Sequence, residues 1–451
     1  MAKILISIDH KWRDLPGYIY LGSLLEKKGH VISYCRNGLE QYYVAGFKPD
    51  LIIINQVHDI KRQEFAQKLA KMNILVCILP TEGIPTLSAY REFAGGVQSN
   101  LSGVEVHYVW NQPMKDILIS NNTIPADKIE VVGVPRFDFY RSPLHKVLIT
   151  KKAFCEKYNI NSKLPIVTFA TNFTQATFHV KNQEFLDQDS KILGYDKIMN
   201  KLHGGVSNIA RSDFQSREIL LDAFSKLMRE MPKVNFVLKL HPSEDQLYYG
   251  DRFKYELKKY EGRFTIIGLE YIWDILNVTD VELKRSCTTG VEAWVLGIPT
   301  IEMKLNPEEW YYSEEHASGS DVVQNYHELK ILISQYLLGS TVKNQLLQKR
   351  EEFLQKWCFK IDGRSTMRLA DSLHILVNTL NAKKKYTLDY KSLIIYYLLK
   401  FSRLAIHDIK VYVFLSWVKG IRIDFLGRED KHHSIKDIHH WKEILHNITV
   451  N

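Results

Sequence analysis

Short apolar runs alternate with segments of helical spacing along most of the chain. In the first third, Lys3–Ile8 (KILISI) reads as a buried strand and Tyr18–Lys28 as a helix closed by Gly29. His30–Tyr34, Asp50–Ile54 and Ile74–Leu79 read as further strands, with a helix over Lys61–Met72. Val104–Trp110 and Lys128–Val132 complete the set. Strands this short and apolar, separated by helices, predict βαβ units and a parallel sheet covered on both faces.

A second alternation follows. Ile166–Ala170, Val234–Leu240, Arg263–Ile267, Val281–Arg285 and Thr300–Met303 are predicted strands. Ser212–Glu230, Ile272–Leu276 and Gly290–Leu296 are predicted helices. Lys181–Gly205 breaks the pattern and reads as an inserted loop or small helices, and from Tyr326 onward the spacing is mostly helical. The expected organisation is a Rossmann-like domain over 1–140, a linker over 141–164, a second Rossmann-like domain over 165–380, and a basic, aromatic helical extension over 381–451. In open parallel sheets ligands bind beyond the carboxyl ends of the strands. A cleft between two such domains is therefore the expected site.

Composition changes this picture little. The 451 residues suit two or three domains, and 45% hydrophobic with 25% charged residues is globular. The net charge of +9 favours an anionic partner: a phosphorylated ligand, nucleic acid or an anionic membrane surface. Five cysteines, with no CxxC pair, do not make a disulfide framework. Neither a secretory signal nor a spanning apolar run is recognised. A cytoplasmic protein is expected, with peripheral association at the inner face of the cytoplasmic membrane left open. Lys391–Ile406 and Asp408–Ile421 are too short and too charged to span. They fit an interfacial anchor or a packed helical subdomain equally well.

Candidate chemistry clusters at predicted strand ends. In SCTTGVEAWVLGIP (Ser286–Pro299), a helix start offers N–H groups to a phosphate, Ser286, Thr288 and Thr289 add hydroxyls, and Gly290 admits close approach. Glu292, in the first turn, suits ribose hydroxyls. A capping box, with Thr289 as N-cap and Glu292 three residues on, explains the same residues equally well. In KLHPSED (Lys239–Asp245), His241 and Pro242 end a strand; a plain His-Pro turn is the competing reading. In FATNFTQA (Phe169–Ala176), Asn172 and Thr174 form a polar turn. Glu82, in LPTEGIP, is placed to take a proton from an acceptor hydroxyl. Lys11, Arg13 and Asp14, in the expected first loop DHKWRDLPG, are placed for an acceptor or anion. The histidines from His432 to His440 lack metal-ligand spacing and read as a solvated tail. No Walker A, GxGxxG or GxSxG motif occurs, and no nucleic-acid motif; neither metal nor cofactor is expected.

Taken in order, GVPRFD (Gly133–Asp138), TNF (Thr171–Phe173), HPSE (His241–Glu244) and SCTTGVEAWVLGIP resemble the bacterial surface carbohydrate biosynthesis proteins, which are similar to GT-B glycosyltransferases. The His-Pro pair with a downstream Ser/Thr-rich stretch is similar to bacterial sialyltransferases, polysialyltransferases and Kdo transferases, which use CMP-activated sugars. Gly-x-Pro-Arg-x-Asp also resembles the CDP-glycerol glycerophosphotransferases. The resemblance spans roughly residues 1–310. It implies an α/β GT-B fold, two Rossmann-like domains facing a cleft, with a C-terminal helical extension. It implies metal-independent transfer of a sugar, of ulosonic acid type, from a CMP donor to a glycan or lipid-linked glycan. His241 would bind the nucleotide phosphate, with Pro242 shaping the turn; Ser286, Thr288 and Thr289 would hold that phosphate, and Glu292 the ribose. Thr81-Glu82-Gly83 resembles the acid-acid-glycine motif that carries the sialyltransferase base, with Thr81 replacing the first acid. Polyol-phosphate transfer from a CDP donor and a non-catalytic nucleotide-sugar or glycan-binding partner are the alternatives. A UDP-N-acetylglucosamine 2-epimerase would need more acids and a paired-glycine loop, which Thr288-Thr289-Gly290 matches poorly.

Overall fold

The computed structural model describes residues 1–57, 60–84, 101–181, 204–379, 386, 389–401 and 433–450. The chain divides into two compact units. The first is built from Met1–Gly83, Gly95–Val147 and Trp357–Asn451, and the second is centred on Leu148–Lys356.

In the first unit, β1 (Lys3–Ile8), β2 (Val31–Arg36), β3 (Leu51–Ile54), β4 (Leu75–Ile78), β5 (Val106–Val109) and β6 (Ile129–Val131) form one sheet. Its order is β2-β1-β3-β4-β5-β6, and every pairing is parallel. The apolar runs are strands because both faces are covered: all four residues of β3 are buried. The expected loop DHKWRDLPG is instead the first part of a helix, Lys11–Lys27, entered directly from β1. Its N-cap is His10, whose main-chain N–H donates to Asp14 Oδ2 at 3.1 Å. That contact starts the helix early, with Pro16 inside it.

The second unit holds β7 (Ile166–Ala170), β8 (Asn235–Lys239), β9 (Phe264–Ile267), β10 (Val281–Lys284), β11 (Thr300–Met303) and β12 (Asp321–Val323). Their order is β12-β11-β10-β7-β8-β9, again all parallel. This is the doubly wound order in which the chain starts centrally and builds outward each way. The helix Val206–Glu230 lays Leu220, Leu221, Phe224 and Leu227 on the sheet. Phe224 meets Phe169, Phe236 and Phe264 at ring centroid distances of 5.7, 5.5 and 6.2 Å. Burying such a ring contributes about 1.5–3 kcal/mol.

The second unit ends at Lys356, not at 380. From Trp357 the chain rejoins the first unit because its polar groups are satisfied there. Asn111 Nδ2 donates to Trp357 O at 2.8 Å. Asp138, from GVPRFD, accepts the N–H groups of Ser365 and Thr366 at 3.0 and 2.7 Å. A carboxylate distant in sequence thus supplies the N-terminal cap of the helix Ser365–Asn378. Burial pushes the Asp138 carboxyl up to about 6, against the two N–H donors that lower it.

Of the C-terminal extension, the helix Tyr390–Phe401 packs on Glu40–Phe47, burying Ile395, Tyr396 and Leu399 against Leu39 and Tyr42. Gly46 makes room for the Tyr396 ring, since a Cβ there would lie 1.9 Å from it. The Asp408–Ile421 segment lies outside the described residues. The His-rich stretch expected as a solvated tail instead opens a helix, Ile435–Val450, that buries Trp441 and Leu445.

Candidate functional site

In the second unit the chain reverses direction between β7 and β10, which pair side by side. Loops leaving a sheet at such a switch point form the natural crevice of a doubly wound fold. Here those loops are Thr171–Gln175 after β7 and Arg285–Cys287 after β10, with Leu240–Asp245 after the adjacent β8. Three stretches picked out by the sequence therefore leave neighbouring strands of one sheet.

Glu244 joins two of them. It is buried, and its carboxylate accepts from the Thr171 hydroxyl, Phe173 N (2.7 Å), His241 N (2.9 Å) and Tyr249 OH (2.8 Å). Burial raises its pKa; these donors work in the opposite direction. His241 is half-exposed beside Pro242, and its ring is oriented by the chain itself. The Ser243 N–H donates to Nδ1 at 3.1 Å. A backbone N–H can only donate, so Nδ1 is the acceptor nitrogen and the neutral ring carries its proton on Nε2.

Arg285 holds the loop after β7 from the other side. Its Nη1 donates to Asn172 O at 2.6 Å, and the guanidinium pairs with Asp213 at 2.6 Å and Glu309 at 2.5 Å. Asp213 in turn accepts Gln175 N at 2.8 Å. Thr174 keeps its hydroxyl at this loop, half-buried, with a 3.5 Å contact from Gln175 Nε2.

After β10, Ser286 has φ +38°, a left-handed conformation that is strained for a residue with a side chain. Glu302 holds it there, accepting from Ser286 N at 2.7 Å and from its hydroxyl at 2.9 Å. The hydroxyl also accepts Ser313 N at 3.0 Å, so it is fully used within the protein. The helix Thr288–Val295 starts two residues earlier than the sequence suggested. Its N-cap is Cys287, with no side-chain cap hydrogen bond. The capping box is therefore not formed: Thr289 lies inside the helix, and its hydroxyl sits near Glu282 without closing a well-shaped hydrogen bond. The helix start is left without a side-chain acceptor from its own cap, the arrangement that suits an external anion. Glu292 is 3% exposed and close to Glu282. Burial pushes the Glu282 carboxyl up to about 7. The space beside Gly290 belongs to Lys284, because a Cβ would meet the lysine stem at 2.2 Å. Lys284 is buried with Glu302, at 3.1 Å.

In the first unit, Arg13 gathers three carboxylates: Asp14 (2.8 Å), Glu82 (2.9 Å) and Asp9 (3.3 Å). Lys11 pairs with Asp437 at 2.8 Å on the C-terminal helix. Glu82 is exposed, with one oxygen on Arg13. Arg136, from GVPRFD, donates to Thr81 O at 2.9 Å and lies over the Trp110 ring at 4.8 Å, steadying the segment after β4 that carries Glu82. Asp14, Tyr18, Thr81, Trp110 and Arg136 line a small open pocket of about 40 Å³ in this unit.

The chain shares its fold with the wall teichoic acid polymerase TagF. A variant of TagF aligns at a TM-score of 0.50 and 13% identity over 84% of this chain and 89% of that one. TagF soaked with CDPG aligns at 0.51 and 12% identity over the same shares. Coverage this wide takes in both units, so the GT-B class of two doubly wound α/β units is that of TagF. S. aureus MnaA with UDP follows at 0.49 and 12% identity over 86% and 100%, too slight to add to the TagF likeness. No family model and no curated protein matches the chain. Among the described residues no His, Cys, Asp or Glu cluster is arranged for a metal, and no helix is long and apolar enough to cross a membrane.

Glu244 and Arg285 carry the site's geometry, yet the sequence reading gave them no role. Glu244 stood inside the quoted HPSE stretch. Its signal was a carboxylate three residues after a strand-ending histidine, the spacing at which it reaches back to the histidine N–H.

Proposed function

We propose that this protein is a glycosyltransferase of surface polysaccharide or lipopolysaccharide biosynthesis, taking a CMP-activated sugar as donor. One observation carries the reading: His241 is fixed with Nε2–H as its donor, on a loop tied to Thr171–Phe173, at the switch point of the second unit. That group suits the phosphate oxygen from which the sugar departs.

In this reading an acceptor hydroxyl forms the new bond to the anomeric carbon while the carbon–oxygen bond to the phosphate breaks. The electron pair stays on the phosphate oxygen, where His241 Nε2–H and the N–H groups at the start of Thr288–Val295 stabilise it. Thr288 contributes a hydroxyl, whereas that of Thr289 is buried beside Glu282 and drops out; Pro242 shapes the turn, and Asn172 and Thr174 line the donor side. Glu82 takes the acceptor proton, positioned by Arg13. Asp14 and Lys11 serve the acceptor side by holding that region in place. Ser286, Glu292 and Gly290 drop out as direct contacts: the first two are 3% exposed and the third is filled in by Lys284.

Polyol-phosphate transfer from a CDP donor is the second reading, favoured by the fold shared with a polymerase solved in the presence of CDPG. Donor turnover by wild type and Glu82→Gln, with CMP- and CDP-activated donors, tests both. The transferase reading expects E82Q to bind donor normally and to turn it over at least a hundredfold more slowly. Unchanged turnover removes Glu82 as base, and no turnover of any donor by wild type favours a non-catalytic binding partner.

A further inference from the structure

The helix Tyr390–Phe401 (YKSLIIYYLLKF) is apolar almost all round, yet the first unit covers one side of it. At about 100° per residue, Ser392, Ile395, Tyr396 and Leu399 share a face, and all four are buried. Tyr396 is fixed there by an edge-on contact with Tyr43 at 5.4 Å and by the space over Gly46. The opposite face carries Tyr390, Ile394, Tyr397 and Leu398, which are 68%, 61%, 47% and 48% exposed. These four fall within an arc of about 100°. Lys391 and Lys400, both exposed, lie on the two margins of that arc.

Single exposed apolar residues are ordinary, but four in one stripe mark a surface that something covers. Charge selects what. The helix holds no acid, and the nearest in sequence, Asp389, serves as its N-terminal cap. The Asp389 carboxylate accepts from Ser392 N at 3.1 Å and from the Ser392 hydroxyl at 2.7 Å. Over residues 381–422 the sequence has nine Lys and Arg against two acids, Asp389 and Asp408. Lysines edging an apolar stripe lay their stems along an apolar phase and keep their ammonium groups in a polar one. Tyrosines suit the same boundary, with the ring inside and the hydroxyl outside. A protein partner fits less well, because lysine is depleted in protein–protein interfaces.

We infer that the outer face of Tyr390–Phe401 is a docking surface for an anionic lipid bilayer, with the helix lying in the plane of the membrane. The inner face ties the helix to Glu40–Phe47, so the contact carries the first unit and not a loose tail. Interfacial anchor and packed helix, alternatives on sequence, are the two faces of one element. The inference stands apart from the donor reading.

Flotation of the full chain with vesicles of phosphatidylcholine, alone or with about one third phosphatidylglycerol, tests this at about 0.1 M and about 0.5 M salt. Wild type is expected to float with the anionic vesicles, to bind the neutral ones at least tenfold more weakly, and to lose anionic binding as salt rises. A double variant, Tyr390→Asp with Ile394→Asp, changes exposed positions and should keep the wild-type Tm while binding anionic vesicles at least tenfold more weakly. Lys391→Gln with Lys400→Gln should weaken anionic binding several-fold and leave neutral binding unchanged. This second variant decides the matter if the first fails to fold. Wild type that floats with neither vesicle overturns the inference, as does equal binding to both. Anionic binding unchanged in a folded Y390D/I394D, or in K391Q/K400Q, also overturns it. A wild-type dimer that Y390D/I394D dissolves, with no vesicle binding, assigns the face to a second copy and overturns it too.

Discussion

The Glu244 carboxylate accepts the main-chain N–H of Phe173 at 2.7 Å, across 71 residues of chain. This contact makes one site of two loops that leave adjacent strands. Replacing Glu244 with Ala strands the Phe173 N–H and the Tyr249 hydroxyl, each costing about 1–3 kcal/mol when left unmet, while the Thr171 hydroxyl and the His241 N–H keep weaker contacts to Lys239 O and Thr171 Oγ1. E244A is expected to lose about 2 kcal/mol or more in urea unfolding and to weaken nucleotide binding. Glu244→Gln, which keeps one acceptor oxygen, should lose less of both. An E244A protein with wild-type stability would show that the loops hold each other without this carboxylate.

Gly290 tests a reassignment. Sequence reading gave it to ligand approach, whereas here it accommodates the Lys284 stem. Gly290→Ala brings a Cβ to 2.2 Å from Lys284 Cδ, and overpacking of this kind costs about 1–3 kcal/mol. Shortening the neighbour in a G290A/K284A double variant removes the clash but leaves buried Glu302 without its cation. The two substitutions should therefore couple in a double-mutant cycle. Additive losses would separate Gly290 from Lys284.

His107, in β5, is buried, and burial lowers its pKa to about 4. A depressed folded value means the ring is neutral in the native state. Its contribution is complete above the unfolded value of about 6.5 and is lost as pH falls toward 4, about 3 kcal/mol in all. Asp138 and Glu282 run the other way, because their raised values favour the fold as they protonate. The useful quantity is therefore the difference between wild type and His107→Gln across pH 7 to 4. The gap should move in favour of H107Q as the pH drops, and a gap constant with pH would mean His107 titrates normally.

Strand identity was legible because β1, β3, β7 and β8 are apolar runs bounded by turn residues, and burial on both faces leaves such runs few alternatives. Strand ends were legible too, so His241 and Thr288 were correctly placed just beyond β8 and β10. What stayed hidden depends on contacts distant in sequence. Asp138 gives no local sign that it caps a helix beginning at Ser365, and for that reason the return of the chain at Trp357 was missed. Arg285 reads as the polar end of a strand, and only the fold brings Asp213 and Glu309 to it. Local spacing also misled: Thr289 and Glu292 fit a capping box, but strain at Ser286 starts the helix earlier and turns Glu292 inward.

The central claim is that the His241 loop holds a nucleotide phosphate. Thermal-shift titration of wild type and His241→Ala with CMP, CDP, UDP and GDP tests it most directly, since a ligand bound to the folded state stabilises it by about 2.7 kcal/mol at a hundredfold excess over Kd. The account predicts a rise in Tm with CMP or CDP that the variant loses while its unliganded Tm stays near wild type. No rise with any nucleotide, or a rise unchanged in H241A, would contradict it.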